Sequence, residues 1–240
     1  DWKHPHDPDA RIAKMKDGST HMAHKAEHAV DLETGALVGI TVQAADMDDR
    51  QTLHATLAQV RENLYCAAQN EDARGQMKPL KDIVADKGYH STPVLQQLEG
   101  AGLRGYISEP DRGRRKWRDD VDSRDTVYAN RRRNRGNRGL RLHRARGERA
   151  ERPFAHLYRT GRMRRTHLRG HENILKRLLV HSGAFNLGLL MRHSLGVGTP
   201  RGLQGRLRAL LSLLTRFWRH LPTLSMLLGQ RNRPSLSLSP

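Results

Sequence analysis

Two carboxylates are the residues of this chain best placed to do chemistry, and the first is Asp86. It follows the apolar run Ile83–Ala85 and precedes a glycine, a tyrosine and a serine. Because burying an unpaired charge is costly, a carboxylate that ends a buried strand faces solvent, a metal ion or another cation. Functional side chains of α/β proteins gather at such strand ends. An ordinary turn or helix-capping aspartate is the alternative interpretation.

The second carboxylate, Glu151, lies between arginines and ahead of Phe154 and Leu157. Alone it would be a surface salt-bridge partner of small energetic value. Together with Asp86 it can form an oxygen-only Mg²⁺ site. Metal ions in such sites hold the attacking and leaving oxygens of a phosphodiester reaction. The pair therefore indicates metal-dependent phosphodiester chemistry, with the neighbouring arginines on the nucleic-acid backbone.

The elements that must position these carboxylates alternate between strands and helices. Residues 1–17 read as a loop, and from His21 a strand, a turn at Gly35 and a second strand follow. A helix capped by Asp48 or Asp49 comes next. Later segments are a strand ending at Asp86, a helix starting at Ser91 and Pro93, the short strand "LRGYISE" and a helix over about residues 173–193. This order predicts an α/β sheet domain.

Positive charge is concentrated in the second part of the chain. Residues 1–110 hold 12 Lys/Arg against 17 Asp/Glu, whereas residues 111–240 hold 31 against 8, and the whole chain has a formal charge of +18. Arginine forks match phosphate oxygens, so this asymmetry favours a nucleic-acid partner. A solvated basic segment or a basic membrane-surface helix is the alternative. We predict most of the non-specific affinity for residues 112–149.

Other residue types exclude several functions. One cysteine, Cys66, allows neither a disulfide framework nor a cysteine zinc site within the chain and fits a reducing compartment. Charges interrupt the most apolar stretches, so no membrane span is predicted. His21, His24 and His28 are interpreted as polar surface positions of a strand rather than metal ligands. Trp117 and Tyr128 can stack on bases or pack internally.

The motifs "HPHDPDAR", "IVADKGYHS" and "ERPFAHL", in this order, make the chain similar to bacterial insertion-sequence transposases of the DDE class, of the IS4/IS5 type. The resemblance covers residues 4–192. It implies an RNase H-like α/β fold with a mixed sheet flanked by helices, and three acids that bind Mg²⁺ or Mn²⁺. It also implies DNA cleavage by water and strand transfer by the freed 3′-hydroxyl. Asp86 matches the second acid and Glu151 the third.

The resemblance also implies that the family's first catalytic acid is missing from this chain. The family's first acid lies on an opening strand upstream of "HPHDPDAR", so we expect an amino-terminally truncated chain that lacks one catalytic carboxylate. Pro153 stands where the family has serine or threonine, and we expect it either to start a new helix near Glu151 or to kink the helix. Both changes, and the missing acid, predict that the chain as given is inactive.

The predicted organisation is a partial RNase H-like domain over residues 1–195 and a leucine- and arginine-rich tail over residues 196–240, interpreted as a packing helix or, less favourably, a membrane-surface helix. The expected partners are transposon ends and target DNA, with a homodimer on DNA and a cytoplasmic, nucleoid-associated location. A non-catalytic DNA-binding remnant and a basic RNA-binding protein are the alternatives. The predicted DNA-binding residues are Arg112, Arg114, Arg115, Lys116, Arg131, Arg132, Arg133, Arg164 and Arg165.

Overall fold

The computed structural model describes residues 3–15, 17–70, 78–111, 113, 115–117, 120–199 and 201–215. The predictions for Arg112, Arg114 and residues 216–240 lie outside this part. The chain divides into two compact units, residues 1–186 and residues 187–240. The first unit carries both candidate carboxylates.

The first strands form an antiparallel sheet. Strands β1 (Arg11–Lys14), β2 (Thr20–Val30) and β3 (Leu37–Ala44) pair in the order β1-β2-β3, with a bulge at Ala29/Val30. The turn between β2 and β3 is stabilised by residues within the turn itself. Asp31 accepts a hydrogen bond from the Thr34 amide at 2.8 Å, and Gly35 takes a positive φ of 79°. Few residues other than glycine adopt that conformation at low cost.

A helix then leads to a second, parallel sheet. Helix α1 (Asp49–Ala68) begins with a capping box between Asp48 and Gln51. Strand β4 (Asp82–Ala85) pairs in parallel with β5 (Arg104–Ile107), and the connection holds a 3₁₀ turn (Lys87–Tyr89) and helix α2 (Thr92–Gly100). Ser91 caps α2 by accepting from the Val94 amide. The predicted mixed α/β class is therefore confirmed.

The basic part of the first unit is helical. Helices α3 (Val121–Arg135) and α4 (Asn137–Ala155) are followed by a π-helical segment (His156–Thr160) and by helix α5 (His171–Leu195). Two apolar clusters hold the elements together. One joins α1, α2, β5 and α3 around Leu95 and Ile107, and the other joins β3, the π-helical segment and α5 around Leu157 and Leu178.

Residues 1–17 were expected to be a loop, but the structure gives them a strand and an anchoring role. β1 pairs with the first residues of β2. Asp7, which is buried, accepts from the Gly170 amide at 3.1 Å and contacts His24 Nε2 at 2.9 Å, and Asp9 accepts from the His171 amide. These two carboxylates cap the start of α5, where helix amides lack partners. Burial would raise the pKa of Asp7, but the hydrogen bonds from His24 and Gly170 outweigh it and hold that pKa below its usual value.

Two asparagines, here called the asparagine clamps, each bind both backbone groups of one strand residue. Asn130, fully buried on α3, accepts from the Ile107 amide at 3.2 Å and donates to the Ile107 carbonyl at 2.8 Å. Asn186 on α5 does the same for Leu37, at 2.9 and 2.8 Å. Each clamp satisfies strand groups that no neighbouring strand satisfies.

The second unit contains the end of α5 and helix α6 (201–215). Arg206 donates to the carbonyls of Leu195 and Gly196, and Met191 and Val197 are buried. Leu203 is half-buried, whereas the leucines from Leu207 to Leu214 are exposed by 47 to 62 %, so no described residue covers the stripe expected to pack. No helix in the described ranges is both long and apolar enough to cross a membrane.

Candidate functional site

Asp86 stands directly after β4 and caps the 3₁₀ turn that follows. Its Oδ1 accepts from the Lys87 amide at 2.8 Å and lies 3.9 Å from Arg146 Nη2 of α4. The side chain is 63 % exposed. Its Oδ2 accepts no hydrogen bond from the described residues, so this oxygen is available to a cation. The capping and the cation-facing interpretations of Asp86 are thus compatible.

The turn after Asp86 is held against β2 and α1. Gly88 abuts the Asp49 carboxylate so closely that a Cβ would collide with it. The Tyr89 hydroxyl donates to Glu27 Oε1 at 3.1 Å. Glu27 on β2 is buried, with 4 % of its surface exposed. Sequence reasoning missed Glu27, although a charged residue on the inward face of a strand is a detectable signal.

Glu151 lies on the last part of α4 and is exposed. Within the part of the chain that the structure describes, it makes no hydrogen bond and no ion pair. Arg146, which faces Asp86, is five residues earlier, which places Glu151 about 7.5 Å further along the helix and about 140° around it. No group of three His, Cys, Asp or Glu side chains among the described residues could hold a metal ion. The pairing of Asp86 with Glu151 remains a prediction.

Pro153 does not start a helix near Glu151, so that alternative is wrong. It lies inside α4, is fully buried and is followed within three residues by the π-helical segment. A proline removes one N–H from the helical ladder, and wider π-helical winding is one way in which a helix accommodates a local defect. Whether Pro153 displaces Glu151 remains a prediction.

Of the three histidines of β2, His21 is exposed as expected, whereas His24 and His28 are not surface residues, which corrects the interpretation of these two. His24 contacts Asp7, and only 10 % of its side chain is exposed. His28 packs edge-on against Phe154 of α4, with ring centroids 4.4 Å apart, and against Tyr158. Burial lowers the pKa of His28 to about 4. His28 is therefore a neutral packing group at pH 7 beneath α4, and His24 is covered by Asp7 and by His171 at the start of α5.

Several of the predicted DNA-binding arginines have carboxylate partners. Arg131 and Arg115 both pair with Glu109, at 2.5 and 3.1 Å, and Arg133 pairs with Glu99 at 3.1 Å. The hydrogen bond from Arg131 is the main cause that lowers the pKa of Glu109. Among the predicted DNA-binding residues that the structure describes, those that are exposed and have no ion pair to a described residue are Lys116, Arg132, Arg164 and Arg165.

A basic aromatic cavity of 360 Å³ lies between the middle of α3 and the segment that precedes this helix. The guanidinium of Arg115 lies over the Trp117 ring at 5.5 Å, and that of Arg131 over the Tyr128 ring at 5.0 Å. The two aromatic rings are 6.2 Å apart and tilted. Internal packing therefore accounts for part of the role of both aromatics.

Open α/β sheets place their functional groups just past the carboxyl ends of strands, as Asp86 is placed, and arginine-rich helices indicate nucleic-acid binding. The family model for the transposase DDE domain matches residues 1–187, and the chain belongs to this family. Membership implies a role in DNA transposition and in DNA binding. Comparison with curated proteins and with solved structures finds no match.

Proposed function

We propose that the chain has the architecture for Mg²⁺- or Mn²⁺-dependent cleavage and strand transfer at insertion-sequence ends, with Asp86 and Glu151 as two of the metal-binding carboxylates, and that as given it is inactive. The observation that carries the proposal is the position of Asp86. Its carboxylate stands at the carboxyl end of a parallel strand, on a turn held from two sides, with one oxygen that no described residue binds. A rigid, solvent-facing carboxylate of this kind suits cation binding.

The proposed arrangement is RNase H-like, and packing supports it. Helix α4 contacts both β2 and β4, and α1 contacts β2, β3 and the 3₁₀ turn. The two sheets are thus held between the same two helices, although β2 and β4 do not pair with each other. The proposed fold requires helices that flank a mixed sheet, and α1 and α4 are the helices proposed for that role.

The chemistry of the donor atoms fits the metal. Carboxylate oxygens are the ligands that Mg²⁺ prefers, and Mg²⁺ usually takes one or two of them together with substrate phosphates and water. When bound, the metal stabilises the negative charge that develops in phosphodiester cleavage. Asp86 and Glu151 would hold it, while the exposed arginines would bind the phosphates on either side of the reacting one. A homodimer on DNA, two transposon ends and target DNA are the proposed partners.

The test of this function is the dependence of DNA cleavage on Asp86. With Mn²⁺ and a DNA fragment that carries the insertion-sequence end, any nicked or joined product is expected to fall at least ~100-fold in Asp86→Ala, because the metal loses a ligand. Asp125→Ala is the matched control, since Asp125 is an exposed aspartate of α3 that pairs only with Arg124 among the described residues. Product that persists in Asp86→Ala would refute the assignment.

The same assay separates the alternatives. A chain that binds DNA and forms no product in any variant is the non-catalytic remnant, which is also the result expected for an inactive chain. A chain that prefers RNA of the same length over DNA is the RNA-binding protein. The predicted inactivity stays a prediction until this assay is done.

DNA affinity is expected to depend on arginines that lack carboxylate partners. Each phosphate contact adds about 0.9 to the slope of log Kd against log salt, so replacing Arg132, Arg164 and Arg165 together with alanine should reduce that slope by about 2 to 3. Filter binding between 50 and 300 mM salt measures it. The matched control is Arg131→Ala/Arg133→Ala, whose guanidiniums are held by Glu109 and Glu99. A larger decrease of the slope in the control than in the triple variant would contradict this prediction.

A further inference from the structure

The carboxylate of Glu27 is buried in the first unit and is not part of the proposed metal site. Three hydroxyl groups donate to it: Thr52 Oγ1, Thr56 Oγ1 at 2.6 Å and Tyr89 OH at 3.1 Å. Lys25 Nζ is 3.6 Å away. The carboxylate therefore collects groups from β2, α1 and the 3₁₀ turn at one point.

Burying this carboxylate carries a free-energy cost. Removing a carboxylate from water costs several kcal/mol, and hydrogen bonds and a nearby cation offset that cost only when the geometry is good. Here each of the three hydroxyl groups lies within hydrogen-bonding distance of the Glu27 carboxylate. The nearby cation, Lys25, also binds the Asp49 carboxylate at 2.5 Å. Apolar residues would fill the same space without the desolvation cost of a carboxylate. The network thus fixes a particular geometry rather than adding bulk stability.

The geometry that it fixes is that of the turn bearing Asp86. Tyr89 is the last residue of the turn, and its amide donates to the Asp86 carbonyl at 3.1 Å. Gly88, one residue earlier, rests on Asp49. Burial first, and then the charges of Glu27, Asp49 and Asp86, raise the pKa of Tyr89 well above its usual value, so its hydroxyl stays a donor at any ordinary pH. The turn is therefore attached to β2 through Tyr89 and to α1 through Gly88.

We propose that Glu27 and Tyr89 are positioning residues: their hydrogen bond holds the turn so that the free oxygen of Asp86 faces a bound divalent cation. The inference rests on the proposed function, since it assumes that Asp86 binds the cation. Neither residue touches the cation. Outer partners of metal ligands commonly contribute 10- to 100-fold to metal affinity, because they restrict the orientation of the ligand.

The test uses Tyr89→Phe, which keeps the ring and removes only the hydroxyl. Mn²⁺ binding by the full 240-residue chain, measured by electron paramagnetic resonance of free Mn²⁺, is expected to weaken about 10-fold. Hydrogen exchange of the peptide that spans the turn should become faster, while that of α5 stays unchanged. Tyr158→Phe is the matched control, because Tyr158 is also largely buried and its hydroxyl has no hydrogen bond to the described residues.

Two further variants separate the possible failures. Asp86→Ala reports whether Asp86 is a ligand at all: if its Mn²⁺ affinity equals that of the wild type, the proposed function and this inference both fail. If Asp86→Ala loses the site while Tyr89→Phe binds like the wild type, only the positioning role is refuted. Glu27→Gln keeps one acceptor for Tyr89 and should retain more affinity than Tyr89→Phe; the reverse order would also overturn the inference.

Discussion

Replacing Asn130 with alanine is expected to lower the free energy of unfolding by about 3 kcal/mol. The Asn130 side chain is fully buried and binds both backbone groups of Ile107. After truncation the Ile107 amide has lost its acceptor in a region closed to water, and an unsatisfied buried donor costs about 1–3 kcal/mol. The space that the amide group occupied adds a further penalty. Urea unfolding followed by circular dichroism measures the change.

Asn134→Ala is the matched control for this prediction. Asn134 also donates to the Ile107 carbonyl, at 2.9 Å, but Asn130 donates to the same oxygen. Its removal leaves that carbonyl bonded and breaks one further, part-buried hydrogen bond to His143 Nε2, so we expect a loss of about 1 kcal/mol. Equal losses in the two variants would show that the clamp at Ile107 contributes no more than an ordinary hydrogen bond.

Acid is expected to destabilise the chain through His28. The pKa of His28 is about 4 in the folded protein because the ring is buried, and about 6.5 in an unfolded chain. Above pH 6.5 the ring is neutral in both states, so its protonation does not change the free energy of unfolding. Between pH 6.5 and 4 only the unfolded state binds the proton, so the free energy of unfolding decreases as the pH is lowered. The total decrease is on the order of 3 kcal/mol once the pH is below 4.

The measurement compares the wild type with His28→Gln across this pH range. The variant has no proton to bind at position 28, so its unfolding free energy should fall by about 2 to 3 kcal/mol less than that of the wild type between pH 7 and 4.5. His54→Gln, which removes an exposed histidine of α1, should follow the wild type. Parallel curves for wild type and His28→Gln would exclude His28 as the source of the acid sensitivity.

The parts of the fold that the sequence predicted correctly depend on neighbours along the chain. The turn at Gly35, the cap of α1 at Asp48 and the cap of α2 at Ser91 each involve residues at most four apart. The strand before Asp86 was likewise visible as an apolar run with a polar end. Local hydrogen bonds and side-chain periodicity are readable from sequence because both partners lie in one short window.

The features that were missed join residues far apart in the chain. The Asp7 carboxylate meets the Gly170 amide, 163 residues later, and Asn186 meets Leu37 across 149 residues. His24 and His28 looked exposed because their covering elements come from the end of the first unit. No pattern within β2 shows that α4 packs against one of its faces. Tertiary partners of this kind decide burial, and a single sequence does not name them.

Composition predicted the arginine surface only in part. The sequence shows that α3 is rich in arginine, but a count of charges does not show which guanidiniums already form ion pairs with carboxylates. Glu109 and Glu99 precede the basic region in the sequence. Glu109 forms ion pairs with Arg115 and Arg131, and Glu99 forms one with Arg133. An acidic residue a few positions outside a basic stretch can therefore reduce the number of arginines that are free for phosphate.

The asparagine clamps also bear on how copies of the chain behave when they are crowded together. A strand at the margin of a sheet exposes a row of amides and carbonyls to which another molecule can add a strand, and this is a common start of aggregation. At Ile107 of β5 and Leu37 of β3 those groups are occupied by side chains of the same chain. An incoming strand would have to displace the buried Asn130 amide at Ile107 or the half-buried Asn186 amide at Leu37, so each clamp hinders self-association at its margin for as long as α3 and α5 stay in place.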